Sequence, residues 1–550
     1  MLFASHPTVY SALFALGVSA QLPRAKLGPT TIIGRDVTLS KQDFFGGIPY
    51  AEPPVGELRL SPPILKTRLN SKSFNASDYG PACLQPGLEL AQSSEDCLTL
   101  NIFRPSNLPA NALLPVMFWV YGGGFFSGYA AQFNGSKIVA ESVTRGTPII
   151  YVNFNYRLGP LGFPQGQEAQ DKGALNLALK DQLAALEWIQ HNIGSFGGDK
   201  NKVTVFGESA GSIMNSIQFL SPEFGKYARA GIFESGSADT SINFPAVRRQ
   251  NNWDLFVSGV PSCGPLANSS DTFDCLMKAN SAEIYQGLVP SILNASEAFP
   301  FDPTIDGPNG LLPDIPSRLV QNGHFARLPF IAGTNLDEGT YFIPTDVNSE
   351  QFLRLSIIAN FSPPVTGIYA LESAADKLLQ LYPNDPAVGS PFNTGNDTFG
   401  LNPVFKQFSA LMGDILFQST RRLWSQTTSE YGVKSYGYLF TQPQPQDPPY
   451  LGVTHSSEIP FVYGHPLANS TAARALSRVM INYWVSFATS LTPNDAKGVA
   501  RLVWPTYMST HQVLLQLNGD NTTIIPDTYR EEGIGFINSI PLVFHHRRGL

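Results

Sequence analysis

The sequence has 550 residues, of which 43% are hydrophobic and only 14% charged, with 44 prolines and 48 glycines. This composition is typical of a well-packed globular chain and excludes an intrinsically disordered one. The formal net charge is −7, and no basic block precedes the terminal HHRR, so neither nucleic acid nor an anionic membrane is expected as a partner.

The first twenty residues have the pattern of a signal peptide. An apolar stretch at residues 9–18 runs into the small residues VSA, which predicts cleavage after Ala20. Only His6 and the α-amino group supply positive charge there, and a buried N-terminal helix is the alternative. No later apolar run reaches the roughly 20 residues needed to span a bilayer. We therefore expect a secreted protein with no stable membrane anchor, and a single domain over residues 21–550.

Four cysteines follow the predicted leader as two pairs that are close in sequence. Their even number and spacing predict the disulfides Cys83–Cys97 and Cys263–Cys275. Zinc is not expected, because neither pair has C-x-x-C spacing. Sequons for N-glycosylation also favour the secretory route, and they lie at Asn75, Asn134, Asn268, Asn294, Asn360, Asn396, Asn469 and Asn521.

Residues 115–206 alternate between strand and helix patterns. Buried strands are predicted at PVMFWVY, TPIIYVNFNY and KVTVF. Before the third strand, apolar residues recur at helical spacing in NLALKDQLAALEWIQHNI. This alternation predicts an α/β fold with a large, mostly parallel sheet and helices on both faces. The runs LPFIAG (328–333) and SYGYLF (435–440) extend the sheet after a mostly helical insertion. Runs near Thr31 and Thr99 are expected as antiparallel edge strands.

Ser209 lies in TVFGESAGS, between the predicted strand KVTVF and a predicted helix. A G-x-S-x-G pattern at the end of a buried strand is the context in which a serine nucleophile is displayed on a sharp turn. Gly207 and Gly211 permit that turn and the close packing of the helix on the strand. A tight turn with an idle serine is the alternative.

A serine nucleophile needs a histidine base and a carboxylate that orients the base. If the chain order is Ser, acid, His, as in α/β-hydrolases, the candidate bases are His455, His465 and His511. His455 is best placed, because its polar loop follows the SYGYLF strand. Asp337 and Glu338, after the LPFIAG strand, both remain candidates for the acid. A neutral histidine base predicts that kcat/KM falls below about pH 6 to 7.

Three adjacent glycines, Gly122, Gly123 and Gly124, directly follow the first buried strand. Backbone N–H groups at such a position can converge on an oxyanion. A flexible loop is the alternative, but the place of the triplet upstream of the serine favours the oxyanion hole.

The chain resembles the type-B carboxylesterase/lipase family, the cholinesterase-like α/β-hydrolases, almost end to end. The landmarks that carry the resemblance are GIPYAEPPVGELRL (47–60), SEDCLTLNIF (94–103), YGGGF (121–125), NYRLGPLGF (155–163), FGGDKNKVTVFGESAG (196–211), GTNLDEGTYF (333–342) and GVTHSSEIPFVYG (452–464). The resemblance implies an α/β-hydrolase fold, with Ser209 as nucleophile and His455 as base. It also implies Glu338 rather than Asp337 as the acid, and no cofactor. The implied oxyanion donors are the N–H groups of Gly123, Gly124 and Ala210.

Two departures from the family pattern bear on the site. Tyr121 stands where many members carry histidine, which affects the expected shape of the oxyanion loop. No tryptophan lies between Cys83 and Cys97 to hold a quaternary ammonium, so choline esters are not expected. The expected function is hydrolysis of carboxylic esters, with a small molecule or a lipid as substrate. The alternatives are a triglyceride or sterol-ester lipase and a non-catalytic binding protein, which would typically have lost part of the triad.

In lipases of this family, the disulfide loop corresponding to residues 84–96 carries a long lid. Here that loop is short, and Pro86 and Gly87 interrupt it. We therefore expect an acyl pocket that is largely open in water, and activity on soluble short-chain and medium-chain esters. A cover formed by the insertion at residues 268–306 is the alternative.

Overall fold

The structure is a computed structural model that describes residues 22–37, 41–241, 243–295, 298–361, 366–467 and 470–544. The predicted leader, Asn469 and the terminal HHRR lie outside these residues. Within the described ranges, no helix combines the length and the apolar character needed to cross a membrane.

Strands from all parts of the described chain build the sheets. They are β1 (Arg24–Leu27), β2 (Thr30–Ile33), β3 (Arg35–Val37), β4 (Gln42–Pro49), β5 (Ser73–Asn75), β6 (Ala82–Cys83), β7 (Ser93–Ser94), β8 (Thr99–Pro105), β9 (Leu114–Val120), β10 (Ile150–Phe154), β11 (Gly198–Glu208), β12 (Ala230–Glu234), β13 (Phe330–Asn335), β14 (Ser435–Phe440), β15 (Val513–Leu517) and β16 (Thr523–Pro526). The main sheet has the order β16-β15-β14-β13-β12-β11-β9-β10-β8-β4-β3.

The helices alternate with these strands along the chain. They are α1 (Ser136–Thr144), α2 (Gly159–Gly162), α3 (Gly166–Asp171), α4 (Leu177–Asn192), α5 (Ala210–Phe219), α6 (Gln250–Ser258), α7 (Phe273–Lys278), α8 (Ser281–Leu293), α9 (Pro316–Gln321), α10 (Glu350–Phe361), α11 (Ile368–Leu381), α12 (Pro403–Gly413), α13 (Ser419–Glu430), α14 (Ile459–Val462), α15 (Thr471–Ser490), α16 (Glu531–Ser539) and α17 (Pro541–Phe544). A π-helical turn, Asp414–Gln418, joins α12 to α13.

The predicted fold class is confirmed. The strands from β10 through β9 and β11 to β15 pair in parallel, whereas β16, β8, β4 and β3 pair antiparallel at the two edges. Successive residues of the central strands β12, β13 and β14 are all buried. Since alternate side chains of a strand point to opposite faces, both faces of the sheet are covered.

The parallel strands bring the candidate residues to one edge of the sheet. Strands β9, β11, β13 and β14 end at Val120, Glu208, Asn335 and Phe440, and the loops that follow them meet beyond their carboxyl ends. In open α/β sheets this is the edge at which ligands bind. The glycine triplet, Ser209, the two candidate acids and His455 all lie in these loops.

The predicted edge strands are only partly correct. The run near Thr99 forms β8 in the main sheet, antiparallel to β10 and β4. The run near Thr31 forms β2, which belongs to a separate three-stranded sheet with β1 and β5. A two-residue turn that contains Gly28 at φ +57° joins β1 to β2. Strand β2 therefore pairs with its neighbour in the chain and not with a strand of the main sheet. The edge of the main sheet is β3 instead. Strands β12, β15 and β16 were not predicted.

Candidate active site

Ser209 lies between the end of β11 and the start of α5, in a strained conformation with φ +52° and ψ −125°. Positive φ is unfavourable for a residue with a side chain, and it persists only where the surroundings enforce it. Here the Ser209 N–H donates to the carbonyl oxygen of Glu234 at 2.9 Å. A Cβ atom on Gly211 would lie 2.0 Å from the carbonyl oxygen of Val120, and one on Gly207 would lie 2.5 Å from the same atom. Only glycine fits on either side of this turn.

His455 and Glu338 form a short, buried hydrogen bond. The Nδ1–H group of His455 donates to Glu338 Oε2 at 2.6 Å. The other oxygen of Glu338 accepts from Ser235 Oγ at 2.6 Å and from the Asn335 N–H at 2.7 Å. This carboxylate is therefore fixed in place and directs the far nitrogen of His455, Nε2, away from itself.

Asp337, the alternative acid, has other partners. It accepts hydrogen bonds from Ser390 Oγ at 2.8 Å, from the Phe392 N–H at 2.8 Å and from the Val453 N–H at 2.9 Å. Burial raises the pKa of Asp337 to about 6. The side chain connects residues 390–392 with Val453, and of the two adjacent carboxylates it is Glu338 that contacts the imidazole.

The remaining candidate bases lie apart from this cluster. His465 is exposed in the turn after α14, and His511 is exposed in the turn before β15. The structure thus brings His455, and neither of these two, to the carboxyl edge of the central strands.

The glycine triplet packs directly against Ser209. A Cβ atom on Gly122 would lie 2.9 Å from the Cβ atom of Ser209. Gly123 and Gly124 adopt φ values of +108° and +62°. Within the described chain, the N–H groups of Gly123 and Gly124 donate to no protein oxygen, so both remain available to a ligand oxygen.

Tyr121, the departure from the family pattern, stabilises the base of this loop. Its buried ring stacks on Tyr156, with ring centroids 4.3 Å apart. The hydroxyl of Tyr156 donates to the carbonyl oxygen of Tyr121 at 2.7 Å. Burial raises the pKa of Tyr121, so its hydroxyl remains neutral.

Glu208 directly precedes Ser209 and belongs to this cluster, although no sequence pattern marked it as a site residue. Glu208 Oε1 lies 3.2 Å from His455 Nε2 and accepts a hydrogen bond from Ser456 Oγ. Burial lowers the pKa of His455, but the carboxylates of Glu208 and Glu338 outweigh this effect and raise the pKa to about 9. This exceeds the ordinary histidine pKa on which the expected limit of pH 6 to 7 rested. His455 Nε2 has no hydrogen bond of good geometry within the described chain.

Two further buried carboxyl groups lie behind this cluster. Glu458 Oε2 accepts from Asn335 Nδ2 at 2.6 Å, and burial raises the pKa of Glu458 to about 8. Glu234 Oε1 accepts from Trp484 Nε1 at 2.7 Å, and burial raises the pKa of Glu234 well above its usual range. Burial therefore favours the neutral form of both groups. Burial also raises the pKa of Glu208, and the neighbouring His455 acts in the opposite direction and lowers it.

Two spaces of different size lie near Ser209, and only the smaller one is lined by Ser209 itself. The wide space, about 550 Å³, includes Gly122, Gly123, Glu208 and Ser456 in its lining, together with residues 85–88 of the first disulfide loop. The narrow cavity, about 30 Å³, contacts Ser209 itself and is walled by Phe299, Phe342 and Phe417. The expectation of a largely open pocket therefore holds for the wide space and is wrong for the narrow one. Phe299 comes from residues 268–306, the segment considered as an alternative cover.

Both disulfides are present in the structure. Cys83 and Cys97 have their Cα atoms 5.1 Å apart, and Cys263 and Cys275 have theirs 5.7 Å apart. The sequon asparagines differ in exposure: Asn360 is half-buried, and Asn75, Asn134, Asn268, Asn294, Asn396 and Asn521 are exposed. Their glycosylation remains a prediction.

Comparison with known proteins gives a consistent result over nearly the whole chain. Residues 23–536 match the model of a family described as the carboxylesterase family. The chain is 32% identical to lipase 2 of Geotrichum candidum over an alignment of 574 positions, which covers 95% of this chain and 96% of that protein. It is 34% identical to secreted lipase 1 of Botryotinia fuckeliana over 90% of this chain and 89% of that protein. The crystal structure of Aspergillus niger EstA superimposes with a TM-score of 0.83 at 25% identity and covers 95% of this chain and 99% of that one.

Proposed function

Because the chain belongs to the carboxylesterase family and is a carboxylic ester hydrolase, we propose that it cleaves its substrate through an acyl-enzyme formed on Ser209. His455 is the general base and Glu338 is the acid that orients it. The observation that carries this proposal is the 2.6 Å hydrogen bond from His455 Nδ1 to Glu338 Oε2, beside a serine held on a strained strand-to-helix turn.

In the first half of the reaction, Ser209 Oγ attacks the ester carbonyl carbon while His455 Nε2 takes the hydroxyl proton. The carbonyl oxygen gains negative charge as the tetrahedral intermediate forms. The N–H groups of Gly123, Gly124 and Ala210 donate to that oxyanion. Donors that are already in place stabilise the transition state without reorganisation, and removing one such donor typically costs about 10² to 10³ in kcat.

The intermediate collapses when His455 gives its proton to the leaving alcohol oxygen, and the acyl group remains on Ser209. Water then attacks the acyl-enzyme with His455 again as base, and the acid product leaves. Glu338 keeps His455 in the tautomer that carries its proton on Nδ1 and stabilises the imidazolium that forms in each step. Each role requires only side chains and backbone groups of this chain.

The protein is further proposed to be secreted as a single domain from residue 21. The name of the Botryotinia fuckeliana relative, the two disulfides and the exposed sequon asparagines support this proposal. N-terminal sequencing of protein from the culture medium tests it. A first residue of Gln21 is expected, and a chain that is retained in cells with its leader intact would contradict the proposal.

Replacement of Ser209 tests the proposed nucleophile. Ser209→Ala should lower kcat by about 10⁵ to 10⁶, the effect of removing the nucleophile of a triad. Ser212→Ala, three residues along the same helix, is the matched control, because Ser212 Oγ is engaged with the carbonyl oxygen of Gly236 at 2.6 Å. Hydrolysis by Ser209→Ala within tenfold of the wild type would refute the assignment and would mean that another residue is the nucleophile.

A lipase is the second candidate function, because the relatives include proteins named lipases. A triglyceride emulsion tested beside soluble p-nitrophenyl esters separates the two candidates. A lipase would prefer the emulsion, whereas a carboxylesterase would prefer the soluble ester.

A further inference from the structure

The oxyanion loop, residues 121–128, carries two of the three candidate oxyanion donors and folds back on itself. The carbonyl oxygen of Gly123 accepts hydrogen bonds from the N–H group and the Oγ atom of Ser127, at 3.0 Å and 2.9 Å. At Gly128 the chain returns so closely that a Cβ atom there would lie 2.7 Å from the carbonyl oxygen of Gly122. The position of Gly128 therefore affects the position of the donors, given the proposed function on which this inference rests.

The side chain of Gln85 holds Gly128 from outside the loop. Gln85 Nε2 donates to the carbonyl oxygen of Gly128 at 3.0 Å, and the Gly128 N–H donates to Gln85 Oε1 at 2.8 Å. One side-chain amide thus pairs with both backbone groups of a single residue. Because Gln85 is only 3% exposed, water competes little with these two hydrogen bonds.

The remaining hydrogen of the Gln85 amide is also used. Nε2 donates a second hydrogen bond, to the carbonyl oxygen of Cys83 at 3.1 Å. A glutamine amide has two N–H donors, so Gln85 has no donor left for a substrate. Gln85 lines the wide space, yet its contacts assign it to holding the loop and not to binding the ester.

Two further links fix the segments that this contact joins. The first disulfide connects Cys83 to Cys97. Asn155 Oδ1 accepts a hydrogen bond from the Ala130 N–H, and Asn155 Nδ2 donates to the carbonyl oxygen of Pro81, both at 2.8 Å. Neither link includes residue 128. Replacing the glutamine should therefore release the end of the oxyanion loop while the segments around it stay folded.

We propose that Gln85 is a positioning residue of the oxyanion hole. Without its amide, the backbone groups of Gly128 lose their partner. The N–H groups of Gly123 and Gly124 are then no longer held at a fixed distance from Ser209. A misplacement of about 1 Å costs about 100-fold in rate, even when the substituted residue is far from the chemistry. The loss falls on kcat and not on KM, because the oxyanion exists only beyond the ground state.

The experiment measures kcat and KM of Gln85→Leu for p-nitrophenyl butyrate. Leucine is close to glutamine in size but has no amide. We expect kcat to fall by about 10-fold to 100-fold, with KM within about threefold of the wild-type value. Gln92→Leu is the matched control, because Gln92 is exposed in the same disulfide loop and its replacement should leave both constants unchanged.

Two inhibitors separate positioning from a general disturbance of the site. With a trifluoromethyl ketone, Ser209 Oγ bonds to the carbonyl carbon, the carbonyl π electrons move to the oxygen, and the serine proton passes to His455 Nε2. Its Ki should rise in Gln85→Leu by the factor by which kcat/KM falls. An ether analogue, in which a methylene replaces the ester carbonyl, forms no oxyanion, and its Ki should stay unchanged.

A kcat of Gln85→Leu within about threefold of the wild type would overturn the inference, and so would equal rises of Ki for the two inhibitors. If Gln85→Leu does not fold, as judged by its Tm, Gln85→Glu is read by the same criteria, because a carboxylate donates nothing to the Gly128 carbonyl oxygen. Failure of the proposed function would look different, because Ser209→Ala would then retain hydrolysis of the butyrate ester.

Discussion

Replacing Glu208 by glutamine should move the pH profile of the enzyme toward acid. An anionic Glu208 stabilises the protonated form of His455, which cannot act as a base. Glutamine has nearly the same shape and can still accept a hydrogen bond from Ser456, but it carries no charge. The pKa of His455 should therefore fall in the variant, and the neutral form should persist to lower pH.

The size of the shift follows from the distance between the two groups. Even with the dielectric constant of bulk water, unit charges 3.2 Å apart attract each other by about 1.3 kcal/mol, or about one pKa unit. Screening is weaker for a buried pair. The acid limb of kcat/KM for a p-nitrophenyl ester should accordingly move down by at least about one pH unit, from a wild-type midpoint nearer 9 than 6.5.

The assay is kcat/KM measured from pH 5 to pH 10 for the wild type, for Glu208→Gln and for Glu187→Gln. Glu187 lies on α4 with a side chain that is 47% exposed, so its replacement is a matched control that should leave the profile unchanged. An acid limb of Glu208→Gln that coincides with the wild-type limb would refute the argument that Glu208 holds His455 in its protonated form.

Further substitutions and one substrate test examine other parts of the site. Glu338→Gln should lower kcat by about 10⁴, the loss seen when a triad acid is neutralised. Asp337→Asn should instead lower Tm, because it weakens three hydrogen bonds, and should change kcat far less. Equal losses of kcat in the two variants would contradict the assignment of the acid. Replacing Cys83 and Cys97 together by serine should cost about 3 kcal/mol of unfolding free energy, because the bond closes a loop with a sequence separation of 14; an unchanged denaturant midpoint would contradict this. The rate on tributyrin should rise smoothly through the solubility limit, since the wide space is open and residues 84–96 are too few to form a long lid; a steep increase at that limit would indicate a mobile cover.

Much of the architecture could be predicted because it has local patterns. The strands before Gly122 and Ser209 end in buried, mostly apolar runs, and the glycines on either side of Ser209 form a recognisable G-x-S-x-G pattern, although the contact that requires them is with Val120 on β9. Strand β2 was misplaced because its pairing partner, β1, lies outside the main sheet and short edge strands have little pattern of their own.

The details that set specificity and pKa could not be read from the sequence. Asp337 and Glu338 are adjacent and chemically alike, and only their hydrogen-bond partners distinguish them. The narrow cavity is built from Phe299, Phe342 and Phe417, which are far apart in the chain and meet only in the fold. Each of these phenylalanines is, by its local sequence, an ordinary core residue.

The central claim is that Ser209 is the nucleophile, and covalent labelling with a p-nitrophenyl phosphonate ester tests it most directly. We expect release of one p-nitrophenol per chain, loss of ester hydrolysis in proportion to labelling, and a phosphonyl group on the peptide that contains Ser209. Full activity after complete labelling, or inactivation with the label on another residue and Ser209 unmodified, would contradict the account.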